Sequence, residues 1–173
     1  MRGHMTHDEP LEYVFAPSSV GTLLVAQSVK GLCAILIGSR QAPLKAELKH
    51  RFPGAQLREG DQKLARIAAK LSKRIESPKS ATDFPLDIRG TDFQKRVWRA
   101  LQEIPAGRTA SYSEIATKIG SPKAVRAVAG ACAANALSIV IPCHRVVRND
   151  GALSGYYWGV ERKRKLLEIE GAR

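Results

Sequence analysis

Residues 111–136, "SYSEIATKIGSPKAVRAVAGACAANA", decide the fold of the second half of this chain. Ser111 followed by Glu114 is a capping box, in which a hydroxyl and a carboxylate satisfy the backbone N–H groups that open a helix. A helix is predicted from Tyr112 to about Ile119, and Gly120 supplies the left-handed turn that ends it. Ser121 and Pro122 then offer an N-cap and a first-turn proline to a second helix. Helix, glycine-containing turn, helix is the spacing of a helix-turn-helix, although helix pairs that merely pack together share it.

The second helix, 124–136, holds seven alanines and one glycine but a single long charged side chain, Arg126. Reading bases in the major groove needs Arg, Asn or Gln aimed at base edges, and this helix mostly lacks them. Small side chains let a helix backbone approach sugar and phosphate, as minor-groove docking requires. Ala124, Ala127, Gly130 and Ala131, with Ser111 on the preceding cap, are the candidate DNA contacts. Arg126 reads as a phosphate contact or a solvated charge. The alternative is an alanine-rich helix packed against a neighbour.

Downstream, "LSIVI" (137–141) is predicted as a short buried strand ended by Pro142. Cys143 comes next, with His144 and Arg145 beside it. A thiolate is the reactive form of cysteine and needs a base or positive charge nearby, so this setting marks Cys143 as a nucleophile. His144 is the natural base. Adjacent side chains on extended chain point to opposite faces, so contact requires a bridging water or a sharp turn at Cys143. A thiol peptidase could also use such a pair. Cys33 and Cys132 sit in apolar or alanine-rich runs and read as packing residues, and three widely spaced cysteines suggest neither a disulfide framework nor a zinc site.

Upstream, Thr91 with Gln94 makes a second capping box, and Phe93, Val97, Ala100, Leu101 and Ile104 continue a helical apolar face until Pro105. "SPKSATDFP" (77–85) reads as a linker. Before it, "GTLLVAQS" (21–28) and "KGLCAILIG" (30–38) predict a hairpin, with another strand near Leu11 to Phe15. "APLKAELKHRF" and "DQKLARIAAKLSKRIE" predict helices. The chain therefore divides into a tail at 1–7, an α/β domain with its linker at 8–87, and a helical domain at 88–173. The opening "MRGHM" reads as a scar or tail rather than as part of the fold.

Lysine and arginine number 28 against 16 acidic residues, a net charge of +12, which favours a polyanionic partner such as nucleic acid. Residues 88–173 carry 15 of the basic and 7 of the acidic side chains, so that half is the expected contact surface. No apolar stretch approaches the roughly 20 residues of a membrane span, and no leader pattern precedes one. A cytoplasmic protein is expected.

"IPCHRVV", preceded by the 111–135 stretch and followed by "GALSGYYWGVERKRKLLEIEG", resembles the O6-alkylguanine-DNA alkyltransferases, or methylated-DNA-protein-cysteine methyltransferases. The likeness is to the alkyltransferase half of the bacterial adaptive-response protein, and it reaches into 21–38. It implies an N-terminal ribonuclease-H-like α/β domain and a C-terminal helical, winged-helix-like domain whose helix-turn-helix enters the minor groove of double-stranded DNA. It implies transfer of an alkyl group from guanine O6, and from O4-methylthymine, to Cys143. His144 would deprotonate the thiol through a water, and Glu170 would orient His144.

The same resemblance makes Tyr112 the proton or hydrogen-bond donor to guanine N3 and Arg126 the finger that replaces the flipped nucleotide. It makes Asn135 a brace of the active-site turn. The Val146 backbone would accept from the guanine amine, and Tyr156 would form a wall of the base pocket. Tyr157 and Trp158 stand where relatives carry Arg or small residues, which predicts a narrower pocket and faster reaction with methyl than with benzyl lesions. No cofactor and no metal are implied. A monomer is expected in solution, with several copies along one duplex left open. The adaptive-response protein's zinc and regulatory domain has no counterpart in these residues, so repair without regulation is the expectation. A helix-turn-helix protein that binds alkylated DNA without chemistry is the rival reading.

Overall fold

The computed structural model describes residues 9–80, 83–153 and 155–172, so the proposed 1–7 tail and two linker residues, 81 and 82, lie outside the described residues. Three strands open the chain: β1 (Pro10–Ser18), β2 (Gly21–Ser28) and β3 (Gly31–Gly38). After α1 (Gln41–Arg51) comes β4 (Gln56–Glu59), and then α2 (Gln62–Glu76). The sheet order is β3-β2-β1-β4, with β1 antiparallel to β2 and parallel to β4. The hairpin and both helices fall where the apolar patterns put them, whereas β4, polar and four residues long, escaped the sequence reading.

Residues 23–26 of β2 and 32–37 of β3 are buried without alternation, the signature of strands covered on both faces. Helix α2 packs on β1 and β2 through Leu64, Ala68, Leu71 and Ile75, the stripe its three-four spacing predicts. Its N-cap Asp61 accepts from the Leu64 amide at 3.1 Å.

The outer edge of β3 is closed by the rest of the chain. The Leu32 amide donates to the Pro85 carbonyl at 2.9 Å, and the Ile35 amide donates to the Ala136 carbonyl at 2.8 Å. A Cβ on Gly31 (φ +145°) would lie 2.3 Å from the Pro85 carbonyl oxygen, so only glycine lets the linker come this close. The linker is thus a strand-edge cover rather than a free tether.

The second half comprises α3 (Asp92–Gln102), a short β5 (Ala110–Ser111), α4 (Tyr112–Lys118), α5 (Val125–Ala134), a 3-10 turn (Cys143–Arg145), β6 (Val146–Val147) and α6 (Val160–Glu170). Both bonds of the Thr91–Gln94 capping box form. Ser111 caps α4 by accepting from the Glu114 amide at 3.0 Å, and Gly120 takes the left-handed conformation (φ +79°) that turns the chain into α5. The N-cap of α5 is Ala124 rather than Ser121, because residues 121–124 form a turn in which the Ser121 carbonyl takes the Ala124 amide.

Residues 137–141 are not a strand. They form a tight turn in which the Ile141 amide donates to the Leu137 carbonyl and the Val140 amide to the Ser138 carbonyl. Ile139 sits in the left-handed region at φ +76°, a strained place for a β-branched residue. The run is apolar because the turn is buried between the sheet edge and α6, not because it extends. Among the described residues no helix is long and apolar enough to cross a membrane.

Candidate active site

The turn at 137–141 aims Pro142 into the 3-10 turn that carries Cys143, His144 and Arg145, all three buried. This bend puts Cys143 and His144 on one short turn rather than on extended chain. Asn135, the C-cap of α5, holds it from behind. Its Nδ2 donates to the Ile141 carbonyl at 2.8 Å and to Cys143 Sγ at 3.3 Å, while its Oδ1 accepts from the Leu137 amide at 2.9 Å.

Glu170, in the last turn of α6, meets His144 Nε2 at 2.5 Å. Arg145 clamps the same carboxylate through Nε at 2.8 Å and Nη2 at 3.1 Å, and Nη1 donates to the Ile104 carbonyl at 2.7 Å. Burial opposes charge on Glu170, but the bonds from His144 and Arg145 outweigh it and hold the carboxyl at about 2. Burial lowers the His144 pKa further than Glu170 raises it, so the ring is neutral at pH 7. Burial also raises the Cys143 pKa, against the Asn135 bond and the nearby Lys163 charge, so the resting sulfur is a thiol. His144 Nδ1 is buried and has no hydrogen-bond partner among the described residues.

A cavity of about 410 Å³ reaches Cys143. The predicted residues Tyr112, Cys143, Tyr156 and Tyr157 line it together with Ala129, Cys132, Ala133 and Gly155. Cys132 therefore faces the cavity, although burial pushes its thiol up to about 12. The volume lies in the range of small-molecule sites.

Several predicted site residues lie elsewhere. Trp158 is in the core, its Nε1 donating to Ser138 Oγ at 2.6 Å, so it supports the cavity wall without lining it. Val146 is fully buried, and its carbonyl accepts from Lys163 Nζ at 2.6 Å. A carbonyl has a second lone pair, so this bond leaves capacity for a further donor. Ala131 is 2% exposed, with its carbonyl taken by Trp98 Nε1 at 2.8 Å, and Ser111 is 8% exposed. Ala131 is structural here, because it lies on the core face of α5, whereas the Ser111 hydroxyl accepts from the cap amide and keeps its own proton to donate. Arg126, Ala127, Ala129, Gly130 and Ala133 form the exposed face of α5, and Ala124 is half-buried at its start.

Arg145 and Lys163 were not singled out from sequence. The adjacency of Arg145 to the Cys-His pair was the available signal for the first. For Lys163, a lysine in a basic helix gave no sign that it would be fully buried.

The ribonuclease-like domain of 6-O-methylguanine DNA methyltransferase matches residues 11–88, and the DNA-binding domain of the same family matches 92–172. The inducible methylated-DNA–protein-cysteine methyltransferase of Bacillus subtilis is 42% identical over 149 residues, spanning 84% of this chain and 82% of that protein. The chain belongs to the 6-O-methylguanine DNA methyltransferase family.

Among family members, the bifunctional transcriptional activator/DNA repair enzyme Ada of Escherichia coli is 52% identical over 164 residues. That alignment takes in 92% of this chain but 45% of Ada, so the chain spans about half the length of that relative. A Mycobacterium tuberculosis OGT solved in complex with DNA superposes with a TM-score of 0.75 at 36% identity, over 94% of this chain and 92% of that one. The methyltransferase family thus accounts for both halves of the fold, the α/β half and the helical DNA-binding half.

Proposed function

We propose that this protein repairs O6-methylguanine in double-stranded DNA by moving the methyl group irreversibly onto Cys143. The observation that carries the proposal is the convergence of Cys143, at the base of a cavity, with the buried His144–Glu170 pair, held by the turn that Asn135 braces. The Bacillus subtilis relative, named for this activity, supports the reading.

The resting triad is neutral thiol, neutral imidazole and carboxylate. One water spanning Sγ and His144 Nδ1 would carry the thiol proton to the ring, and the imidazolium so formed sits against Glu170. The sulfur then attacks the methyl carbon, forming an S–C bond as the C–O6 bond breaks. Tyr112 delivers hydrogen-bond or proton donation to N3 of the departing guanine. No cofactor enters, since the acceptor is a side chain and the leaving group is the restored base. A thioether has no good leaving group, so each molecule acts once.

The base must leave the duplex to reach a buried sulfur, and Arg126, exposed in the first turn of α5, is the side chain expected to fill the space the nucleotide vacates. The small exposed face of α5 suits sequence-independent contact with the minor groove. O4-methylthymine presents the same alkoxy carbon beside a ring nitrogen and is the second expected substrate.

The test is intact-protein mass after mixing with a duplex holding one O6-methylguanine, for the wild type and Cys143→Ser. One added methylene on the Cys143 peptide, once per molecule and missing in the variant, is expected. Tight binding without a mass change would make the protein a lesion binder and remove Cys143 from the chemistry.

A further inference from the structure

The cavity rim is held from the other half of the molecule. Tyr157 is 50% exposed, yet its hydroxyl donates to Glu47 Oε1 on α1 at 2.6 Å. Arg51, one turn on, donates to the same oxygen at 2.9 Å. Its guanidinium lies 4.7 Å from the Tyr157 ring centre and 5.4 Å from that of Trp158. Arg51 also donates to the Ala134 carbonyl at 3.2 Å, at the end of α5 beside Asn135. One pair of side chains on α1 therefore grips both the loop that forms the outer cavity wall and the helix end that forms the inner one.

Partial burial acts to raise the Glu47 pKa, but the bonds from Tyr157 and Arg51 prevail, and the carboxyl stays below its ordinary value. The acceptor is thus an anion at neutral pH, which makes the phenol bond a charge-assisted one. A cation over an aromatic face adds to it. An exposed tyrosine on a glycine-containing loop would otherwise sample several rotamers.

We propose that Glu47 and Arg51 are positioning residues that clasp Tyr157 over the cavity and so limit the size of the alkyl group admitted to Cys143. The proposal rests on the alkyl-transfer reading above. It gives the N-terminal half a part in substrate choice beyond support of the fold. Release of the clasp lets the Tyr157 ring swing outward and widens the space next to the sulfur, so a benzyl group gains more than a methyl group does.

The test compares transfer rates from free O6-benzylguanine and from duplex O6-methylguanine in the wild type, Glu47→Ala, Glu47→Gln, Tyr157→Phe and the Glu47→Ala/Tyr157→Phe double variant. Loss of one charge-assisted bond is expected to raise the benzyl-to-methyl ratio about tenfold in Glu47→Ala and Tyr157→Phe. The double variant should do no more than either single one, because both remove the same bond. Glu47→Gln, which keeps an acceptor, should restore most of the wild-type ratio. Amide hydrogen exchange across 155–159 should quicken in Glu47→Ala. Methyl transfer with an unchanged ratio and unchanged exchange would overturn the clasp alone. Absence of methyl transfer by the wild type would overturn the alkyl-transfer reading, and the size-setting role with it.

Discussion

Glu170 meets three demands with one carboxylate: it accepts from His144, it neutralises Arg145, and it ties α6 to the turn that carries Cys143. Its depressed pKa, about 2 in the folded protein, means that the unfolded chain takes up a proton first as the pH falls. The stability it supplies is fully present above the ordinary carboxylate range and is lost as the pH falls toward 2, on the order of 3 kcal/mol in all. His144 acts in the same direction at higher pH. Its folded pKa lies below the ordinary 6.5, so stability from the neutral ring is present above that value and declines below it. Urea midpoints of the wild type should therefore fall in two stages, first below about pH 6.5 and again below about pH 4.5. Glu170→Gln should shrink the lower stage, leaving the smaller share of Glu47 and Asp87, whose carboxyls are also held below their ordinary value, and cost roughly 3–5 kcal/mol at pH 7, since it strands the buried Arg145 charge. Methyl transfer in that variant should drop by about two to four orders of magnitude, the usual contribution of an acid-base pair. An unchanged acid profile in the variant would show that Glu170 does not carry this linkage.

At the scale of elements, α5 shows what the sequence could and could not disclose. Its alanines and glycine, and the left-handed Gly120 before it, were legible because capping and side-chain size are local properties. Which alanines face outward was not, since Ala127 and Ala131 differ only by the side that α3 covers. The turn at 137–141 misled for the opposite reason. A buried apolar run with β-branched residues reads as a strand, and the bend shows in the bonds from Ile141 to Leu137 and from Val140 to Ser138 and in the positive φ of Ile139. Arg51 and Glu47 were illegible, because their partners lie some 80 to 110 residues away in sequence. Gly130 offers a direct test of the outward face. A Cβ there meets nothing within 4 Å, so Gly130→Ala should stabilise the free protein by about 1 kcal/mol through helix propensity. The same methyl group would stand between the helix backbone and a docked sugar-phosphate chain. Thermal melting should rise while affinity for undamaged duplex falls; a rise in both would place the DNA on another surface.

In the whole molecule the two halves share one core. A single cluster of buried side chains runs from Leu11 in β1 to Leu166 in α6, taking in Trp98, Val128, Ile141 and Cys143. Arg162 on α6 donates to the Val20 carbonyl at 2.8 Å, Ser39 Oγ at 2.8 Å and the Trp158 carbonyl at 2.9 Å, so the last helix is pinned to the first hairpin. The edge of β3 finds its hydrogen-bond partners in Pro85 and Ala136, and isolating residues 8–87 would leave the Ile35 amide bare. The prolines of 77–85 suggest a boundary in the sequence, but the packing runs across it. Unfolding should then be one cooperative event rather than two. Calorimetry is expected to show a single transition with an enthalpy on the order of 120 kcal/mol near 60 °C and a matching van't Hoff value. A van't Hoff enthalpy near half the calorimetric one would mean that the halves melt separately, and the contacts of Arg162 and Ala136 would then carry no cooperative weight. Arg162→Ala, which removes two contacts between the halves at once, should lower that ratio before it lowers the transition temperature of the α/β half.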